Sequence, residues 1–130
     1  MGRAGDRRGV GAEASALAEV NGRVLGPLEL AATPAARARG LLGRRALVGA
    51  MLLRPCRSVH TMGMLMPIDV AFLDGDLRVL DVLSLPPGRL TRPRWRARAV
   101  LETEAGQLAR WGVRAGSALE IRTGSSPGRN

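Results

Sequence analysis

The stretch Pro67-Ile68-Asp69-Val70-Ala71-Phe72-Leu73, then Asp74-Gly75-Asp76, then Leu77-Arg78-Val79-Leu80-Asp81-Val82-Leu83 decides the fold. Residues that favour strands dominate both runs, and Asp-Gly between two such runs is a strong hairpin signal. Leu77 and Val79 and, after a slip, Val82 and Leu83 supply the apolar faces. Pro86-Pro87-Gly88 ends the hairpin in a loop.

Working outward, Val20-Asn21-Gly22-Arg23-Val24-Leu25 followed by Pro27-Leu28-Glu29-Leu30 reads as strand, turn and strand. Thr33-Pro34 starts a helix, with a hydroxyl N-cap and proline at the first helical position. That helix is expected to run to Leu42 or Arg45, with Ala38, Leu41 and Leu42 on one face and Arg37 and Arg44 outside. Ala50-Met51-Leu52-Leu53 is a short buried strand stopped by Pro55. Arg96 to Leu101 is another, turning into a short helix from Thr103 through Trp111 that Gly112 closes. Ala118-Leu119-Glu120-Ile121 makes a last strand. Short strands with two short helices predict a mainly β (α+β) domain: a compact jelly-roll-like β-sandwich or a partly closed barrel. The expected organisation is a mobile arm at 1–16, one domain at 17–122 and a flexible tail at 123–130.

Composition bounds the function. The chain has 130 residues, 45% of them hydrophobic and 24% charged, enough apolar material for a core. All 20 basic residues are arginine, against 11 acidic ones, and this replacement of lysine looks like the codon bias of a GC-rich genome. No apolar run approaches the roughly 18 residues that span a bilayer. Met1 to Glu19 lacks the apolar stretch of an export signal, so the expected location is cytoplasmic. The chain contains no HExxH, GxSxG or phosphate-cradling motif, and without lysine it has no Schiff-base chemistry.

Ordered blocks then resemble a known family, the domain of unknown function 192. They are Ala38-Arg39-Gly40-Leu41-Leu42-Gly43-Arg44, Met51-Leu52-Leu53, Ser58-Val59-His60-Thr61-Met62-Gly63-Met64 running into Pro67 to Asp74, Val100-Leu101-Glu102, and Gly106 to Gly116. The resemblance covers nearly all of residues 20 to 122. It implies a mainly β fold, and it assigns no catalytic residue. The His60-Thr61-Met62-Gly63 segment is similar to a bacterial variant that keeps Cys56, His60, Gly63 and Met64, where the commoner pattern is Trp-Met-Lys-Asn.

Three constellations carry chemistry. Cys56, Ser58, His60, Met62, Met64 and Met66 share parity, and on an unbroken strand would line one face. Thiolate, imidazole and thioether suit a soft metal such as Cu(I), with Cys56, His60, Met62 and Met64 as candidate ligands. Against this, same-face neighbours on a strand stand roughly 7 Å apart, and methionine is a common core filler. Cys56 and His60 could instead be nucleophile and base, with Asp69 orienting the imidazole and Arg54 and Arg57 lowering the thiol pKa. The competing reading makes Cys56 a small buried hydrophobe and His60 structural. Asp69 itself is expected to accept backbone N–H bonds or to pair with Arg39 or Arg44. Finally, Arg89, Arg92, Arg94, Trp95, Arg96 and Arg98 form a basic stretch. If extended, it could contact phosphates while Trp95 stacks; more often such a run is a solvated edge.

The reading these patterns favour is a cofactor-free binding or accessory module with an unidentified ligand or protein partner. Its expected working surface is Cys56 to Asp69 with the neighbouring 89–98 loop. A Cys-His-Asp enzyme or soft-metal site in that region is the alternative. Weak, salt-sensitive polyanion binding through Arg89 to Arg98 is a third.

Overall fold

A computed structural model of the protein describes residues 16–20 and 23–123. The decisive hairpin is there. β4 (Ile68–Leu73) pairs antiparallel with β5 (Val79–Leu85), with a register shift between Phe72 and Leu73. The turn differs from the simplest Asp-Gly type. Asp74 Oδ1 accepts the N–H groups of Asp76 and Arg78 at 2.9 and 3.0 Å, and the left-handed residue is Leu77, at φ 65°. The side chain of Asp74 fixes the turn, so a leucine occupies a place usually given to glycine.

All six residues of β4 are buried, as are the four of β3 (Ala50–Leu53) and the first five of β6 (Ala99–Glu104). These strands are covered on both faces, which is why their apolar residues run consecutively instead of alternating, broken by Asp69 in β4 and by Glu102 and Thr103 in β6. One face carries Leu52, Ala71, Leu73 and Leu101, packed with Val79, Leu108 and Trp111. The other carries Met51, Leu53, Val70, Phe72 and Val100, packed with Leu41, Val59, Met64 and Met66.

β1 (Ala16–Val20) and β2 (Arg23–Ala31) complete the sheet with β7 (Leu119–Thr123), in the order β5-β4-β6-β3-β2-β1-β7. Between β2 and β3, the one parallel pair among the described strands, runs α1 (Pro34–Arg39). Edge strands β5 and β7 approach at one end, where Arg78 bridges to Ala118 and Leu119 N–H donates to the Leu77 carbonyl at 3.0 Å. The two share no continuous ladder, so the seven-stranded mixed sheet bends towards a barrel without closing. Gly49, at φ +77°, lets β2 and β3 converge: a Cβ there would lie 2.0 Å from the Pro27 carbonyl oxygen.

Several boundaries differ from expectation. The first strand begins at Ala16; the rest of the expected arm and tail, with Asn21 and Gly22, lies outside the described residues. Thr33 and Pro34 start α1 as expected, but the helix stops at Arg39. Leu41 is therefore buried and Leu42 46% exposed, because helical periodicity no longer relates them. β6 continues to Glu104, and α2 occupies only Gln107–Arg110. Residues 54–67 form no strand; His60 alone makes an isolated bridge, to Leu90.

Candidate functional site

β6 is the central strand of the trio and delivers Glu102 into the face covered by α1 and the 54–67 segment. Its ladder partners are Met51 on β3 and Val70 on β4. Above it, α1 ends at Gly40, whose φ of +47° turns the chain away. A Cβ at Gly40 would sit 3.7 Å from Glu102 Oε1. Arg37 is half-buried, and its Nη1 donates to the Ala32 carbonyl at 2.7 Å.

The covering segment is pinned by the loop that follows β5. Thr61 N–H donates to the Arg89 carbonyl at 2.7 Å, and Thr61 Oγ1 donates to the Pro86 carbonyl at 2.7 Å. Val59 N–H donates to Thr91 Oγ1 at 2.9 Å, and Cys56 N–H to the Arg98 carbonyl at 3.0 Å. These bonds present Cys56 and His60 to a cleft of about 70 Å³ that Glu102, Arg37 and Arg39 also line. Leu53, Val59 and Met64 supply apolar walls.

Glu102 is 1% exposed, and its Oε1 has no hydrogen-bond partner among the described residues. Burial alone pushes its carboxyl from the ordinary 4.5 up to about 7. Burial also pushes the Cys56 thiol up; the charge of Glu102 adds to this, and Arg37 opposes it. The thiol donates to the Ser58 carbonyl at 3.1 Å. A protonated, hydrogen-bonded thiol is a weak nucleophile, so the expected lowering by Arg54 and Arg57 is corrected. Both of those side chains are exposed, and Arg57 Nε is spent on the Ala97 carbonyl.

Asp69 does not join this cleft. It lies on the other face of β4, in line with Ala71 and Leu73. Its Oδ1 accepts from Ser84 Oγ at 2.6 Å and its Oδ2 from Gly106 N–H at 2.8 Å. The expected backbone N–H partner is present, but neither Arg39 nor Arg44 takes part; Arg44, beyond the end of α1, pairs bidentately with Glu29 at 2.7 and 2.8 Å. Asp69 ties the sheet to the approach of α2, and the carboxyl that accompanies Cys56 and His60 is Glu102.

The shared face expected for the soft-ligand series depended on a strand that residues 56–66 do not form. Cys56, His60 and Met64 line the cleft; Met62 is 56% exposed on a turn and Met66 is core. No three His, Cys, Asp or Glu side chains among the described residues lie together as a metal site. The arginine ribbon is likewise not extended. Ala97 N–H donates to the Arg94 carbonyl at 2.9 Å, so the chain turns at Trp95 and Arg96. Arg94 faces inward, 3.1 Å from Asp81 and 4.5 Å above the Phe72 ring. Arg98 is bonded to the Trp95 carbonyl, while Arg89, Arg92, Trp95 and Arg96 stay exposed.

Glu102, Arg37 and Arg39 are the site residues that sequence reasoning passed over. The signal for Glu102 was present, a carboxylate directly after Ala99-Val100-Leu101 in a strand, and is akin to the one that drew attention to Asp69.

A family model described as "Uncharacterized ACR", DUF192, matches residues 16–121. The chain belongs to the DUF192 family. A UPF0127 protein of Pyrococcus horikoshii is 37% identical over 75 residues, which cover 54% of this chain and 65% of that relative's length. A solved protein of unknown function from Novosphingobium aromaticivorans shares 25% identity with a TM-score of 0.70, over 81% of this chain and 82% of its own. A Sinorhizobium meliloti structure, provisionally described as a transcription regulator, has a TM-score of 0.73 at 23% identity. It covers 88% of this DUF192 chain and 98% of its own, and shows the shared fold. No activity is established for the family. Among the described residues, no helix is long and apolar enough to cross a membrane.

Proposed function

We propose that this DUF192 domain is a binding module, not an enzyme, and that it holds a small ligand in the cleft between α1 and the 54–64 segment. One observation carries the reading: Glu102 is buried with an unpaired oxygen at the cleft that Cys56 and His60 line. Buried polar groups nearly always have partners, so an orphaned one in the wall of a cleft is a place for a ligand's hydrogen bond. A covalent mechanism is disfavoured because burial holds the thiol protonated and Glu102 Oε1 bonds no imidazole. A cytoplasmic location accords with this reading, since a reducing compartment keeps a lone thiol free.

Alkylation of Cys56 tests it. At about pH 7.5 the folded protein should react with iodoacetamide several-fold more slowly than free cysteine. Fragments that occupy the cleft should slow it further. Faster alkylation than free cysteine, or a fragment collection of mixed charge in which none protects Cys56, would sink the proposal.

Exposed Trp95 between Arg92 and Arg96 supports a second, weaker property. The loop can touch polyanions at its surface, with the ring available for stacking.

A further inference from the structure

Glu102 stands between an uncharged methionine and valine on its two neighbouring strands, so its ladder partners bring no charge to it; Glu29, one strand beyond Met51, is paired with Arg44. On its own strand, Glu104 accepts Leu47 N–H at 2.9 Å and is committed there. Among the described residues, the ionisable groups that line the cleft with Glu102 come from two elements: Arg37 and Arg39 of α1, and Cys56 and His60 of the covering segment. None of them bonds Oε1. Taking an unpaired carboxylate out of water is costly, and the neutral acid avoids that cost. A neutral acid is also an O–H donor, and this one stands in the cleft wall.

With Glu102 neutral and the thiol protonated, the standing charges around the cleft are the two guanidiniums. Their field is positive, which repels an ammonium and attracts an anion. Guanidinium geometry suits planar carboxylate, and a carboxylic acid facing a carboxylate shares its proton in a strong hydrogen bond. Leu53, Val59 and Met64 offer apolar wall to a short hydrocarbon tail, which inorganic oxyanions lack.

On the binding-module reading above, we infer that the ligand is a small aliphatic carboxylate. One of its oxygens accepts the Glu102 O–H and the other faces Arg37 and Arg39.

Butyrate, butylamine and inorganic phosphate, titrated separately into the full chain by NMR, form the test. If only protonated Glu102 binds butyrate, and its carboxyl titrates at about 7, affinity should fall roughly thirtyfold between about pH 6 and pH 8.5. Glu102→Gln, which keeps a donor and cannot ionise, should bind butyrate equally at both pH values. His60→Gln should keep the wild-type slope; this control is needed because histidine is the side-chain type that charges near neutrality. Arg39→Leu should weaken butyrate at least fivefold at about pH 6.

Equal butyrate affinity at both pH values in the wild type would overturn the inference, as would butylamine binding that Glu102→Gln abolishes, or phosphate binding as tight as butyrate. Should Glu102→Gln not fold, the slopes of wild type and His60→Gln decide alone. Failure of the parent reading has a different signature: no fragment of any charge protects Cys56.

Discussion

Replacing Glu102 by glutamine should stabilise this protein above neutral pH and leave it nearly unchanged in mild acid. Glu102 has a carboxyl raised from 4.5 to about 7 by burial, so the folded chain holds this proton more tightly than the unfolded chain does. The sign follows from linkage: between those two values the native state binds more protons, and its stability falls as pH rises. The gap is worth about 3 kcal/mol, fully lost once pH passes both values. Glutamine fills the same volume, keeps a donor in the cleft and carries no titrating proton. The difference between variant and wild type should therefore be small at about pH 4.5 and reach about 3 kcal/mol by about pH 8. That is roughly 10 °C in Tm for a domain this size. Guanidinium melts of both proteins across that range measure it, and subtraction removes the other carboxylates, Asp74 among them, whose turn amides lower its pKa and act in the opposite sense. A difference that stays flat with pH, or a variant less stable at about pH 8, would refute the account of Glu102 as a buried acid without a partner.

Asp69→Ala should cost about 2 kcal/mol in the same melts, because it strips partners from Ser84 Oγ and Gly106 N–H. Since Asp69 faces away from the cleft, Cys56 alkylation in the folded variant should stay at the wild-type rate; a manyfold change would place Asp69 in the site after all. For polyanions, if Arg89, Arg92 and Arg96 each neutralise one phosphate, affinity for a labelled DNA duplex should fall roughly fortyfold between about 50 and 200 mM salt. Fluorescence anisotropy reads this, and binding that survives the higher salt would mean a dedicated interface.

The strands of the middle region were legible because their signal is local. In β3 and β4, apolar residues fill consecutive positions, and a strand buried on both faces requires nothing more of its sequence. The N-cap at Thr33 and Pro34 was equally readable, since the hydroxyl accepts the Ala36 N–H just three residues on. The end of that helix was not. Arg39 and Leu42 are both good helix formers, and α1 stops because Gly40 turns the chain so that Leu41 can enter the core. Parity misled at residues 56–66 and 92–98 for a related reason: alternation implies a common face only where a ladder holds the chain flat, and these segments are pinned by scattered bonds to each other.

The sequence by itself determined the mainly β class, the hairpin about Asp74, the membership of its family and the neighbourhood of Cys56 and His60, four residues apart on one segment. Only the tertiary structure decided which acid keeps them company. Asp69 and Glu102 are both carboxylates inside apolar strands, and one-dimensional pattern treats them alike. The pleat and the register of β4 against β6 send Asp69 to Ser84 and Gly106 on one face and Glu102 to the cleft on the other. Which side of a doubly covered sheet a residue faces depends on packing from both sides, and no local run of residues records it.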